Sequence, residues 1–309
     1  RNLKHQTLFE QMAGFMGMSE EKESTDSFAC AGQLIELAAK YGFEGNLWHC
    51  FLALCLADNE NAYTTACEVT GPAGGTLALL AKEDFAIFKA LFDFDLSSLA
   101  PSSLWSLLAD YRPALQESRV FNRRIRDRIV ELAKVLEQAS DLEGFQQTMV
   151  EFYREYGAGT FGLNQAFRIL ETEAGGLTVI DPIVNVEHMY FKDIVGYELQ
   201  KHKLIENTEA FVNGKEANNV LLFGDAGTGK SASVKAVLNE YYSRGLRMSE
   251  GYKHQFNDLS DFLEQIKGRN YKFIIYMDDL SFEDYELEYK YLNAILEGGL
   301  GKRPDNVLI

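Results

Sequence analysis

The sequence predicts an all-helical N-terminal domain followed by an α/β domain, a parallel sheet with flanking helices. Three observations carry this. Before residue 177 the apolar residues recur at helical spacing and no strand pairs stand out. Beyond it, short apolar runs alternate with helical stretches. Between the two, Tyr156–Gly175 is glycine-rich and Gly175–Val186 reads as extended, which places the boundary at Val186 and the domains at 1–186 and 187–309.

In the first domain, residues 1–18 carry a weak helical pattern and Ser19–Asp26 reads as a linker. Phe28–Tyr41 and Leu47–Leu56 follow as helices, the first ended by Gly42 and the second capped by Asn46. Gly71-Pro72-Ala73-Gly74-Gly75 is a breaker, after which Phe85, Phe88 and Leu91/Phe92 share a helical face. Ser102 or Ser103 caps a short helix, and Val120–Ala139 is a regular helix striped by Ile125, Ile129, Leu132 and Leu136. Arg123, Arg124, Arg126 and Arg128 lie on its opposite side; a solvated face paired with local acids is favoured over a phosphate-binding patch. Asp141 caps the last helix, where Phe145, Met149, Phe152 and Tyr156 form a core stripe.

The second domain opens with Val195-Gly196 and a helix from Tyr197 to Val212. Asn219–Phe223 reads as a short buried strand. Gly224, Asp225, Ala226, Gly227, Thr228, Gly229, Lys230 and Ser231 then satisfy G-x-x-x-x-G-K-[ST], and Val234, Val237 and Leu238 continue as a helix. Strand, glycine-rich turn and helix are the setting of a phosphate-binding loop. Its N–H groups point inward, and the helix N-terminus adds partial positive charge. Lys230 suits the β- and γ-phosphates and the Ser231 hydroxyl suits Mg²⁺, so a nucleoside triphosphate is the expected ligand. Leu246–Tyr252 holds the place of a second strand, weakened by Ser249 and Gly251, and Leu259–Lys267 that of a helix. Tyr271–Met277 is a buried strand ending in Asp278-Asp279, 48 residues after Lys230. A parallel strand that delivers carboxylates beside the loop is a Walker B arrangement, with Asp278 for the metal and Asp279 for the attacking water. Tyr285–Leu296 reads as a helix ending at Glu297-Gly298-Gly299, and Asn306–Ile309 begins another strand.

The 309 residues carry a net charge of −16. Residues 1–186 include 15 basic and 26 acidic residues, and residues 187–309 include 15 and 20, giving −11 and −5. Such acidity argues against nucleic acid as the principal partner. No apolar run is long enough to suggest a membrane span. The chain begins at Arg1 without a signal-like segment and reads as part of something longer. Cys30, Cys50, Cys55 and Cys67 include no C-x-x-C pair, and buried reduced thiols, which suit the cytoplasm, are favoured over a metal site at His49, Cys50 and Cys55.

Phe191–Gly196, the following helix, the glycine-rich loop and Asp278-Asp279 together resemble an AAA+ ATPase core. FGLNQAFRI, DIVGYELQKHKLIENTEAFVNG, NNVLLFGDAGTGKSASVKAVLNEYYSRGLR, DDLSFED and LEGGL are similar to the bacterial ATP-binding family labelled domain of unknown function 815, over about residues 160–309. The resemblance implies an AAA+ P-loop NTPase sheet, with the loop's strand beside the strand starting at Asn306. It implies an ATP site formed by backbone atoms of Ile194 and Val195 around the adenine and by Gly224 to Ser231 and Ala232 at the phosphates. Mg²⁺ would be held at Ser231 and Asp278, with Lys230 and Asp279 as the catalytic pair. Asp279 stands where most such enzymes have Glu. The family's sensor, arginine finger and helical lid would lie beyond Ile309, so turnover by this chain is expected to be slow. Self-association through this domain and remodelling of a protein partner are also implied. Two other readings stand beside it. A helicase-loader or initiator-like ATPase is favoured slightly by Asp278-Asp279-Leu280 and opposed by the charge. A small-molecule kinase would want a catalytic base and an arginine cluster near the phosphates, and neither is seen.

Overall fold

A computed structural model of the chain describes residues 5–15, 23–113, 122–170, 179–252, 255–278 and 304–309. It divides into two compact units, Arg1–Leu163 and Asn164–Ile309.

The first unit is helical: α1 (Gln6–Phe15), α2 (Glu23–Tyr41), α3 (Leu47–Ala57), α4 (Ala62–Thr70), α5 (Gly75–Phe92), α6 (Ser102–Ala109), α7 (Arg123–Glu137), α8 (Leu142–Tyr156) and α9 (Gly159–Leu163). Every residue of α3 is buried, because LWHCFLALCLA is apolar all round and such a helix must be enclosed. It is the central post, packed against α2, α5, α6, α7, α8 and α9. Asn46 caps it, the side-chain oxygen accepting from the His49 N–H at 3.2 Å. Asp141 caps α8 in the same way through Gly144. The cap of α4 by Asn61, a reciprocal box with Thr64, is an element that the sequence reading did not separate out. Helix α6 starts at Ser102, but its cap position is Pro101.

The arginines of α7 have local partners. Arg126 pairs with Asp127, and Arg128 donates to the Gly162 carbonyl and lies over the Tyr156 ring. None of the four is free. The four cysteines are buried and form no disulfide with one another. Burial pushes the Cys50 and Cys55 thiols up to about 12. His49 is kept from protonation chiefly by burial, and its Nε2 lies 3.0 Å from the Phe92 carbonyl. Thiols held protonated and an imidazole committed to a carbonyl are poor metal ligands.

The second unit is an α/β fold around a five-stranded, mostly parallel sheet. Its strands are β1 (Ala166–Leu170), β2 (Val179–Pro182), β3 (Leu246–Gly251), β4 (Lys272–Met277) and β5 (Val307–Leu308), in the order β2-β1-β3-β4-β5. Only the β1–β2 pair is antiparallel. Helices α10 (Glu198–Val212) and α11 (Lys230–Tyr241) precede β3, and α12 (Phe256–Ile266) joins β3 to β4. Alternation along β4 sends Phe273 toward Phe262 of α12, ring centroids 6.4 Å apart. Ile274 and Tyr276 go to the opposite face, where Ala236, Val237 and Tyr241 of α11 complete an apolar cluster.

Three expectations are corrected. The division falls at Leu163/Asn164, not Val186, because Ala166–Leu170 and Val179–Pro182 are strands rather than linker. The sheet continues through them: Phe167, buried, pairs with Ser249 of β3 and Pro182 of β2. Asn219–Phe223 is not a buried strand; Leu221 and Phe223 are 77% and 87% exposed. It meets β5's end through Val220 N–H to the Ile309 carbonyl and Ile309 N–H to Asn219 Oδ1, and no ladder forms among the described residues. Ser249 and Gly251 do not interrupt β3, all six residues of which pair with β4. A Cβ at Gly251 would meet Ile275 and Met277 of β4 at ordinary contact distances, 3.5 and 3.6 Å, so these side chains flank the glycine. The expected helix 285–296 lies outside the described residues.

Phe145 is fully buried, with edge-on contacts to Phe85 and Phe92. Phe145→Ala should destabilise the first unit by about 3–5 kcal/mol, read as a lowered denaturation midpoint. In the native protein at pH 8, a thiol reagent should leave Cys50 and Cys55 unlabelled until denaturant is added. Rapid native labelling of either would contradict their burial.

Candidate functional site

Helix α11 starts at Lys230, immediately after a loop whose glycines do what other residues resist. Gly227 and Gly229 stand at φ 78° and 86°, in the left-handed region. Thr228 Oγ1 donates to the Asp225 carbonyl at 2.8 Å and closes the turn. The loop thus ends on the N-terminus of a 12-residue helix, where unsatisfied N–H groups and the helix dipole favour an anion. Lys230 Nζ donates to the carbonyls of Gly224 and Asp225, each at 2.9 Å. The lysine therefore holds the loop itself in this state. A phosphate would have to replace those two carbonyls as its acceptor.

The segment before α10 is fastened to α11. Asn239 Nδ2 donates to the carbonyls of Glu187 and Met189, and Phe191 N–H donates to Glu240. Lys235 pairs with Glu187, whose carboxyl it holds below the usual range. This brings the Ile194 side chain to within 3.8 Å of the point where a Gly229 Cβ would stand. The expected adenine segment and the phosphate loop are therefore neighbours. Ile194 has both backbone groups engaged: its N–H donates to Phe191, and its carbonyl accepts from Lys201. Val195, 92% exposed, lies beside it, and Gly196 and Tyr197 follow in left-handed conformation.

On the other side, Asp278 stands one residue past β4 and is exposed. The Tyr276 hydroxyl donates to Ser231 Oγ at 3.4 Å, and Asp278 lies close enough for its charge to act on it. Burial is the main reason that its phenol titrates above the usual range, with the neighbouring Asp278 charge adding to it. Gly224, Asp225, Ala226, Gly227, Thr228, Gly229, Lys230, Ser231, Ala232, Ile194 and Asp278 thus belong to one region of the unit. Asp279 lies outside the described residues. Sequence reasoning missed Tyr276, Asn239 and Lys201. Tyr276 had a signal, since strand alternation places it on the face of Asp278. The other two act through backbone carbonyls, Asn239 on Glu187 and Met189 and Lys201 on Ile194, which no pattern advertises.

The fold and the site define an α/β unit with a glycine-rich loop at a helix N-terminus. Residues 164–309 match the family model described as "Protein of unknown function (DUF815)", which supports that label for this part of the chain. No curated protein and no solved structure matches the chain. No helix among the described residues is long and apolar enough to cross a membrane.

Gly229→Ala should cost about 1–2 kcal/mol, because alanine resists the left-handed conformation held there. Thermal unfolding of the second unit measures it; an unchanged midpoint would mean that the loop relaxes freely.

Proposed function

We propose that the second unit binds ATP with Mg²⁺ and hydrolyses it, as an AAA+ ATPase that couples the cycle to remodelling of a protein partner. One observation carries this reading: the GDAGTGKS loop on the N-terminus of α11 lies beside Ile194 on one side and, through Tyr276, beside Asp278 on the other. The Val220 to Ile309 hydrogen bond, which sets the loop's leading segment against β5, supports the expected strand order.

The chemistry of the residues fits. Lys230 would exchange two loop carbonyls for phosphate oxygens, a gain because a charged acceptor binds an ammonium more strongly than a neutral one. A serine hydroxyl and a carboxylate are all-oxygen donors, suited to a hard cation such as Mg²⁺. Bound there, Mg²⁺ would neutralise charge on the phosphates. Asp279, next in the chain, would orient water. With Ile194's backbone engaged, hydrogen bonding to the base falls to Val195. ATP is preferred to GTP by the family resemblance, and no guanine-reading N-K-x-D run is present.

Lys230→Ala should weaken MgATP binding about 10–100-fold, the worth of a charge-assisted hydrogen bond or two. Calorimetry on the full chain measures this, and unchanged affinity would overturn the assignment. Asp279→Asn should leave ATP affinity within about threefold while lowering phosphate release by roughly 10²–10⁴-fold. Equal release rates would remove Asp279 from the chemistry.

A further inference from the structure

Tyr276 ends a strand at a place where packing alone does not call for a hydroxyl. Ile274, two residues earlier on the same face, meets the α11 cluster with an aliphatic side chain. The ring of Tyr276 joins that cluster too, but its oxygen continues past it to Ser231 and Asp278. Ser231 is the second residue of α11, and Asp278 follows β4. One hydroxyl therefore contacts Ser231 and lies close to Asp278, the two side chains assigned above to the metal.

Proton accounting fixes what it does. An ionised carboxylate only accepts, and a phenol has one proton to give. That proton goes to Ser231 Oγ, 3.4 Å away, so the serine accepts through one lone pair and its own proton points elsewhere. The serine is then left with its second lone pair for another partner. We infer that Tyr276 is a positioning residue, which orients Ser231, with Asp278 beside it, to receive the divalent cation that accompanies a nucleoside triphosphate. This rests on the nucleotide reading of the loop. It makes Tyr276 an outer partner of the metal ligands, a class whose removal typically weakens metal affinity 10–100-fold.

The test compares ATP affinity of the full chain in EDTA and in saturating Mg²⁺, so that the ratio reports the metal's contribution. Tyr276→Phe removes one oxygen and keeps the ring. It should reduce the Mg²⁺ enhancement about tenfold while leaving affinity in EDTA within about twofold. Ser231→Ala should reduce the enhancement as well, and adding Tyr276→Phe to it should cost much less than Tyr276→Phe alone, because the two act as one unit. An enhancement that is unchanged or larger in Tyr276→Phe would overturn the inference and leave nucleotide binding standing. Equal losses in EDTA and Mg²⁺ would likewise overturn it, by reducing Tyr276 to a packing role. If the unaltered chain binds no ATP under either condition, the nucleotide reading falls and takes this inference with it.

Discussion

Parallel pairing of β3 with β4 along six residues, from Leu246↔Lys272 to Gly251↔Met277, is the constraint on which the second unit depends. In-register pairing brings both strands to the same edge of the sheet, so that Asp278 emerges where the chain leaves it. The side-chain period of two then divides β4 between its neighbours, Phe273 facing α12 and Tyr276 facing α11. A slip of one residue would exchange those faces and turn the Tyr276 oxygen away from Ser231. Buried Arg247 helps to hold the register. Its guanidinium lies over the rings of Tyr242 and Tyr271, at 4.4 and 4.3 Å from their centroids, and it donates to the carbonyls of Leu246 and Tyr242.

Around that frame the candidate site is assembled from pieces distant in sequence. Asn239 and Glu240 of α11 reach back to Glu187, Met189 and Phe191 by hydrogen bonds to the main chain. A segment without regular structure is thereby fixed beside the loop. Main-chain groups that a helix or sheet would have satisfied are satisfied by side chains, as burial of the neighbouring residues requires. The same economy shows at Lys230, whose ammonium is spent on two loop carbonyls.

The first unit is organised differently. Its centre is a helix with no polar face, and the rest of the unit exists to cover it. Aromatic edges from α5 and α8 meet there, Phe85 and Phe92 against Phe145. Polar chemistry is confined to caps and to a few buried groups such as Tyr153, whose hydroxyl donates to the Leu56 carbonyl.

By itself the sequence determined the helices of the first unit other than α4 and α9, together with α10 to α12, β3, β4 and the loop from Gly224 to Ser231. Each is written in a local period, a cap residue or a glycine whose conformation other residues resist. The α/β class of the second unit followed from their alternation. Only the tertiary structure decided the rest. Ala166–Leu170 is a strand because β3 offers it an edge, and Val179–Pro182 because β1 offers the next, which no local pattern reveals. Val220–Phe223 has the composition of a strand yet forms none: among the described residues its backbone meets β5's end through Val220 N–H to the Ile309 carbonyl, without a ladder. A strand is a property of two chains' hydrogen bonds, whereas a helix satisfies itself. That difference is why the helices were legible and the ends of the sheet were not, and why the Tyr276 contact with Ser231 emerged only once β4 was laid beside α11.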